Sequence, residues 1–144
     1  MKTKPNILFL CTGNSCRSQI AEGLMKNLCM EKFNVFSAGT APSKVNIHAI
    51  KVMDELNIDI RDQKSENVDL YHEKTFEFVV TVCNDAKDHC PNFSGGGEKI
   101  HWPITDPFSG WDYDQKQLNN FRKTRDSIKE KIDLLLNTWS MKND

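Results

Sequence analysis

A chain of 144 residues buries one core without dividing into several, so a single domain over residues 1–144 is expected. Hydrophobic residues make up 38% and charged residues 27%, which excludes a disordered chain, and no apolar run reaches membrane-spanning length. Lys plus Arg is 19 and Asp plus Glu is 20, and the net charge of −1 argues against nucleic acid or an anionic membrane as the main partner. The basic start Met1-Lys2-Thr3-Lys4-Pro5 is followed only by Ile7–Cys11 before polar residues resume, too short a run for a signal peptide. A cytoplasmic location is therefore expected. Five cysteines, an odd number, then point to reactive thiols or a metal before a structural disulfide framework.

Ile7-Leu8-Phe9-Leu10 reads as a buried strand. Thr12-Gly13-Asn14-Ser15 breaks the pattern, and Ile20, Leu24 and Leu28 then recur at helical spacing. A strand, a small-residue loop and a helix N-terminus make an anion site, because backbone N–H groups point into the loop and the helix dipole adds positive potential. Cys11 begins this loop and Arg17 ends it, so a thiol and a guanidinium face the same tetrahedral oxyanion. The cradle over Thr12, Gly13, Asn14, Ser15, Cys16 and Arg17 holds Cys11 as the nucleophilic thiolate, with the Ser18 hydroxyl a further donor to sulfur.

The first helix is expected from Ser18 to Lys32, burying Ile20, Leu24, Met25 and Leu28, with Cys29 packed in its last turns. Asn34 to Ser37 forms a short strand. Asn46 to Leu56 forms a second helix with Ile47, Ile50, Val52, Met53 and Leu56 at helical spacing, and with His48 solvated in its first turn. Ile58-Asp59-Ile60 is extended, and Ser65 is expected to cap a short helix through Lys74. Phe76 to Cys83 is a second clear strand. Asn84 to Lys99, polar and containing Gly95-Gly96-Gly97, is expected to be a mobile segment. Ile100-His101-Trp102 is a last strand, Asp106-Pro107 opens a loop, and a C-terminal helix runs from Tyr113 to Trp139 with Leu118, Phe121, Ile128, Ile132 and Leu135 inward.

Strands alternating with helices define an α/β chain with a parallel sheet covered on both faces. Ligands of such sheets sit beyond the carboxyl ends of the strands. Cys11, Ser37, Cys83 and Trp102 are expected to share that rim.

Cys11-Thr12-Gly13-Asn14-Ser15-Cys16-Arg17-Ser18-Gln19 resembles the low-molecular-weight protein tyrosine phosphatase family, and within it the thioredoxin-coupled arsenate reductase branch. The resemblance implies a single-domain three-layer sandwich about a central four-stranded parallel sheet. It also implies that Asp106, in Asp106-Pro107, is the general acid that protonates a leaving oxygen. Cys83 and Cys90, in Cys83–Pro91, stand where the reductase branch has its redox pair. The implied reaction uses Cys11 on arsenate, Cys83 on Cys11 with release of arsenite, and Cys90 on Cys83, leaving a Cys83–Cys90 disulfide for thioredoxin to reduce. A helix between the last two thiols would hold them about 10 Å apart, beyond the roughly 7 Å limit of a disulfide, so closing the bond would need that segment to loop out. Some members bind potassium through residues matching Asn14, Glu22, Ser37 and Glu66. No other cofactor is implied.

A phosphatase using Cys11, Arg17 and Asp106 is the alternative, although Phe108-Ser109 stands where the tyrosine phosphatases commonly carry two tyrosines. A zinc set of Cys83, His89, Cys90 and His101 fits poorly, since a Cys-x6-Cys spacing is wider than zinc pairs usually use. A non-enzymatic oxyanion or redox sensor could use the same loop.

Overall fold

The computed structural model describes residues 4–83, 93 and 95–143. Its strands are β1 (Asn6–Cys11), β2 (Asn34–Gly39), β3 (Phe78–Thr81) and β4 (Glu98–His101), in one sheet of order β2-β1-β3-β4 with every neighbouring pair parallel. Three helices, α1 (Arg17–Cys29), α2 (Ile47–Asp54) and α3 (Gln115–Asn143), and one 3-10 turn (Val68–Tyr71) complete the described elements. Central β1 is apolar on both faces, and Ile7, Leu8, Phe9 and Leu10 are all 0% exposed, as a covered parallel strand requires. The chain leaves β1 for β2 on one side and later returns to β3 on the other. That reversal lies at the carboxyl end of β1, where open α/β sheets place their ligands.

Among the described residues, the two faces of the sheet are covered unequally. Ile7, Phe9 and Val80 pack against Ile20, Leu24, Val52, Met53, Phe121 and Ile128, which come from all three helices. Leu8, Leu10 and Val79 face Ala38, Val68, Phe76 and Phe93, with Phe36 and Tyr71 alongside. Among the described residues, the third layer is therefore a short turn and a cluster of aromatic rings.

Several boundaries differ from the sequence expectation. Helix α1 stops at Cys29 instead of Lys32, and Phe33 turns back to hydrogen-bond the Cys29 carbonyl and fill the core. Leu28 is left exposed by this turn, and Leu56, beyond the end of α2, is exposed as well. The expected helix from Ser65 to Lys74 contracts to the 3-10 turn, capped by Asn67 through its bond from Asp69 N–H. Ser65 does not cap, because its hydroxyl donates to the Asn14 carbonyl. Strand β3 is shorter than Phe76–Cys83, although Glu77 and Val82 still donate to β1 carbonyls at either end.

Strand β4 begins at Glu98, inside the segment expected to be mobile, and Phe93 is buried. Gly97 opens that strand at φ 107°, where a Cβ would lie 2.3 Å from the Phe76 carbonyl oxygen, so only glycine fits. Residues 84–92 and 94 of that expectation, Cys90 among them, lie outside the described residues.

Candidate active site

Strand β1 delivers Cys11 to the base of a loop over residues 12–16, and Arg17 begins α1. Cys16, at the N-cap position, makes no side-chain cap bond, and the first turn of α1 carries no acidic residue. Its first-turn N–H groups are thus kept for an anion instead of being satisfied by the helix's own side chains. Asn14 sits at φ 46°, a left-handed turn of the backbone that bends the cradle around a central point. Five partners hold it there. Its carbonyl accepts from Gln19 Nε2 and from the Ser65 hydroxyl, its Oδ1 accepts from Glu66 N–H, and its Nδ2 donates to Ser18 Oγ and Ser37 Oγ.

These bonds set the proton on Ser18. Asn14 Nδ2 donates to Ser18 Oγ at 2.7 Å, so the serine hydrogen is free to point at Cys11 Sγ, 2.9 Å away. The second loop thiol lies beside it. Burial pushes Cys16 up to about 12, against the effect of its hydrogen bond with Ser15, so it stays protonated at neutral pH. Position, at the base of the cradle where β1 ends, makes Cys11 the candidate nucleophile of the pair.

Arg17 is almost wholly buried. Its Nη1 donates to the Ile104 carbonyl at 2.9 Å, and its Nη2 lies 3.7 Å from Asp106 Oδ2. Asp106 Oδ1 accepts from Phe108 N–H at 3.0 Å, a turn that aims the other oxygen toward the guanidinium. Cys11, Thr12, Gly13, Ser15, Cys16, Arg17 and Asp106 thus line one cavity of about 280 Å³, with Ser43, Phe108 and Trp111 as its outer wall. Cys11, Arg17, Ser18 and Asp106 are brought together as the sequence predicts.

Cys83 follows β3, the strand beside β1, and is fully buried with its sulfur 3.9 Å from the Leu10 carbonyl. Trp102 packs on Phe9, with ring centroids 6.1 Å apart. Ser37 lies two residues short of the end of β2 and reaches the site through Asn14.

Behind the loop, Ser37 Oγ donates to Glu22 Oε1 at 2.5 Å, and Lys26 pairs with Glu22 Oε2 at 2.5 Å. Burial, then Glu66, then Glu22 raise the Tyr71 pKa, which places both carboxylates within electrostatic reach of one phenol. Asn14, Glu22 and Ser37 thus gather oxygen atoms behind the loop, each engaged within the protein: Asn14 Oδ1 by Glu66 N–H, Ser37 Oγ by Asn14 Nδ2, and Glu22 by Ser37 and Lys26. Among the described residues no group of three His, Cys, Asp or Glu is placed to hold a metal ion. His89 and Cys90 of the zinc set lie outside them.

Some contributors escape a sequence reading. Gly39 reads only as a strand end, yet a Cβ there would lie 2.4 Å from the Thr12 carbonyl oxygen and 2.8 Å from that of Cys11. Asn46 caps α2 and ties to the loop through Asn46 N–H to the Ser15 carbonyl at 2.9 Å. His48 is the clear correction. Expected at the surface, it is 0% exposed, stacked between Tyr113 and Phe121. The inward side of α2 is His48, Ala49, Val52 and Met53, and Ile47 faces solvent.

A cysteine at the base of a strand–loop–helix anion cradle, closed by an arginine and facing an aspartate, defines a cysteine-dependent phosphate-type site. The family model described as low molecular weight phosphotyrosine protein phosphatase matches residues 6–144, and the chain belongs to that family. An arsenate reductase of Bacillus cereus is 42% identical over 132 residues, 92% of this chain and 94% of that protein. One from Oceanobacillus iheyensis is 40% identical over 136 residues, 94% of this chain and 98% of that one. Among solved structures, an arsenate reductase in the phosphate binding state matches with a TM-score of 0.78 at 31% identity, covering 94% of this chain and 98% of that chain.

Proposed function

We propose that this chain is a thioredoxin-coupled arsenate reductase. Cys11 thiolate attacks arsenate in the cradle, a sulfur–arsenic bond forms, and an arsenate hydroxyl takes up a proton and leaves as water. Cys83 thiolate then attacks Cys11 Sγ. A Cys11–Cys83 disulfide forms, the sulfur–arsenic electron pair stays with arsenic, and arsenite departs in the three-valent state. Cys90 attacks Cys83, freeing Cys11, and a thioredoxin dithiol reduces the Cys83–Cys90 disulfide. The observation that carries this reading is the buried Cys83 just past the strand that pairs with β1, a second thiol that hydrolysis does not need.

Arg17 grips the oxyanion as a planar fork while its other edge stays on the Ile104 carbonyl. A potassium ion, when bound, would be held by Asn14, Glu22, Ser37 and Glu66 and would supply positive charge behind the Asn14–Ser18 link. Among the described residues no helix is long and apolar enough to cross a membrane. We propose a cytoplasmic location, where thioredoxin is reduced.

Asp106 and the Phe108–Trp111 wall, with rings 5.0 Å apart, favour a second reading in which the site hydrolyses phosphoesters. One preparation assayed for thioredoxin-dependent arsenite release and for para-nitrophenyl phosphate hydrolysis separates the two. Arsenite released catalytically with thioredoxin supports the reductase; hydrolysis without arsenite release rejects it. Cys11→Ser is expected to abolish both.

A further inference from the structure

His48 is fully buried on α2, and both of its ring nitrogens are engaged. Nδ1 lies 2.8 Å from Asn46 Oδ1, and Nε2 lies 2.9 Å from the backbone nitrogen of Asp114. An amide oxygen only accepts and a backbone N–H only donates, so the hydrogen must be on Nδ1 and Nε2 must be bare. The ring is clamped in this orientation by Tyr113 at 5.6 Å and Phe121 at 5.2 Å. A phenylalanine would fill the same sandwich. What the imidazole adds is an acceptor for Asp114 and a donor to Asn46.

Those two bonds join parts far apart in sequence. Asp114 ends the loop that begins at Asp106 and leads into α3. Asn46 donates in turn to the Ser15 carbonyl of the phosphate loop. The path from Asp114 N–H through His48 and Asn46 to Ser15 therefore fastens the far end of the Asp106 loop to the cradle. Along the loop itself, Ser109 N–H donates to the buried Gln117, and Trp111 packs on Phe108 beneath the ammonium of Lys44.

We propose that His48 is a positioning residue for Asp106, holding the loop from Asp106 to Asp114 against the phosphate loop so that the carboxyl meets the leaving oxygen of an ester seated in the cradle. This rests on Asp106 acting as the general acid. In that step the Cys11 sulfur–phosphorus bond forms, the phosphorus–oxygen ester bond breaks, and the proton of Asp106 passes to the departing oxygen. His48 touches neither substrate nor reacting atoms.

The test compares kcat/KM for two aryl phosphates, because phenolate needs a proton on leaving far more than para-nitrophenolate does. Asp106→Asn sets the scale and must lose more on phenyl phosphate than on para-nitrophenyl phosphate. His48→Phe is expected to follow it, with a loss about tenfold larger on phenyl phosphate. His48→Gln, whose side-chain oxygen can still accept from Asp114, is expected to recover most of that difference. Long-range proton–nitrogen NMR of the unaltered protein is expected to show His48 as the Nδ1–H tautomer. This measurement does not depend on any variant folding.

An Nε2–H tautomer at neutral pH overturns the proposal. Equal losses of His48→Phe on both esters, as simple destabilisation would cause, overturn it too while leaving Asp106 as the acid. If Asp106→Asn itself shows no leaving-group preference, the general-acid reading falls and the positioning role falls with it.

Discussion

Replacing Gly39 by alanine tests whether the close approach of β2 to the phosphate loop sets the shape of the cradle. The new Cβ would sit 2.4 Å from the Thr12 carbonyl oxygen, 2.8 Å from the Cys11 carbonyl oxygen and 3.0 Å from Asn14 N. All three atoms are backbone, so no side chain can swing aside. Opening the tightest contact even to 3.0 Å moves the loop by more than half an ångström, at the residue next to the nucleophile. A misplacement of about 1 Å costs up to ~100-fold in rate, and overpacking of this kind costs about 1–3 kcal/mol of stability. Gly39→Ala is therefore expected to lose about 10- to 100-fold in kcat/KM for arsenate and for para-nitrophenyl phosphate alike, or about 1.4–2.7 kcal/mol of barrier. Gly96→Ala, which meets nothing within 4 Å, is the matched control. Steady-state kinetics at a temperature where both variants remain folded by circular dichroism measure the difference. Activity in Gly39→Ala equal to that of Gly96→Ala would refute the argument.

Arg17→Lys keeps the charge but cannot reach both the Ile104 carbonyl and the oxyanion, and a drop of about 10²–10³ in kcat is expected from the lost donor; near-normal turnover removes Arg17 from the site. Cys90→Ser is expected to release about one arsenite per enzyme and to trap a Cys11–Cys83 disulfide visible by non-reducing peptide mapping, whereas Cys83→Ser releases little. Repeated turnover of Cys90→Ser with thioredoxin as sole reductant would contradict the relay. Phosphatase activity is expected to survive both substitutions, since water completes that reaction.

Burial lowers the pKa of His48 below the ordinary imidazole value, opposed by Asp114 and assisted by Lys51, with Tyr113 stacked on its face. The unfolded chain then binds the proton first. The contribution is present in full above about pH 6.5 and declines as pH falls toward the lower folded pKa. Urea midpoints are expected to fall more steeply from pH 7 to pH 5 in the unaltered protein than in His48→Gln. Parallel curves would show that His48 does not titrate in this window.

What the sequence determined by itself is what lies contiguous along the chain. Cys11 to Ser18 carries the nucleophile, the small-residue turn, the helix start and the arginine within two adjoining elements. Local backbone preference and the hydrophobic run of β1 suffice to build it there. Asp106 is legible only through the family resemblance, because the strand pattern alone reads it as a surface-loop aspartate.

Tertiary structure decided what no local pattern encodes. Gly39 matters because β1 and β2 are neighbours in register, Cys11 against Gly39, a pairing made between residues 28 positions apart. Ser65 left its capping role because Asn14, in a left-handed turn, offered it a buried carbonyl. On α2, periodicity favoured Ile47 and solvated His48. The helix settled with His48 inward because Asn46 and Asp114 satisfy both imidazole nitrogens and Tyr113 and Phe121 enclose the ring. A buried polar group is tolerable only when its partners arrive with it, and beyond the local Asn46 they come from α3 and the loop that precedes it, Asp114 lying 66 residues away in sequence.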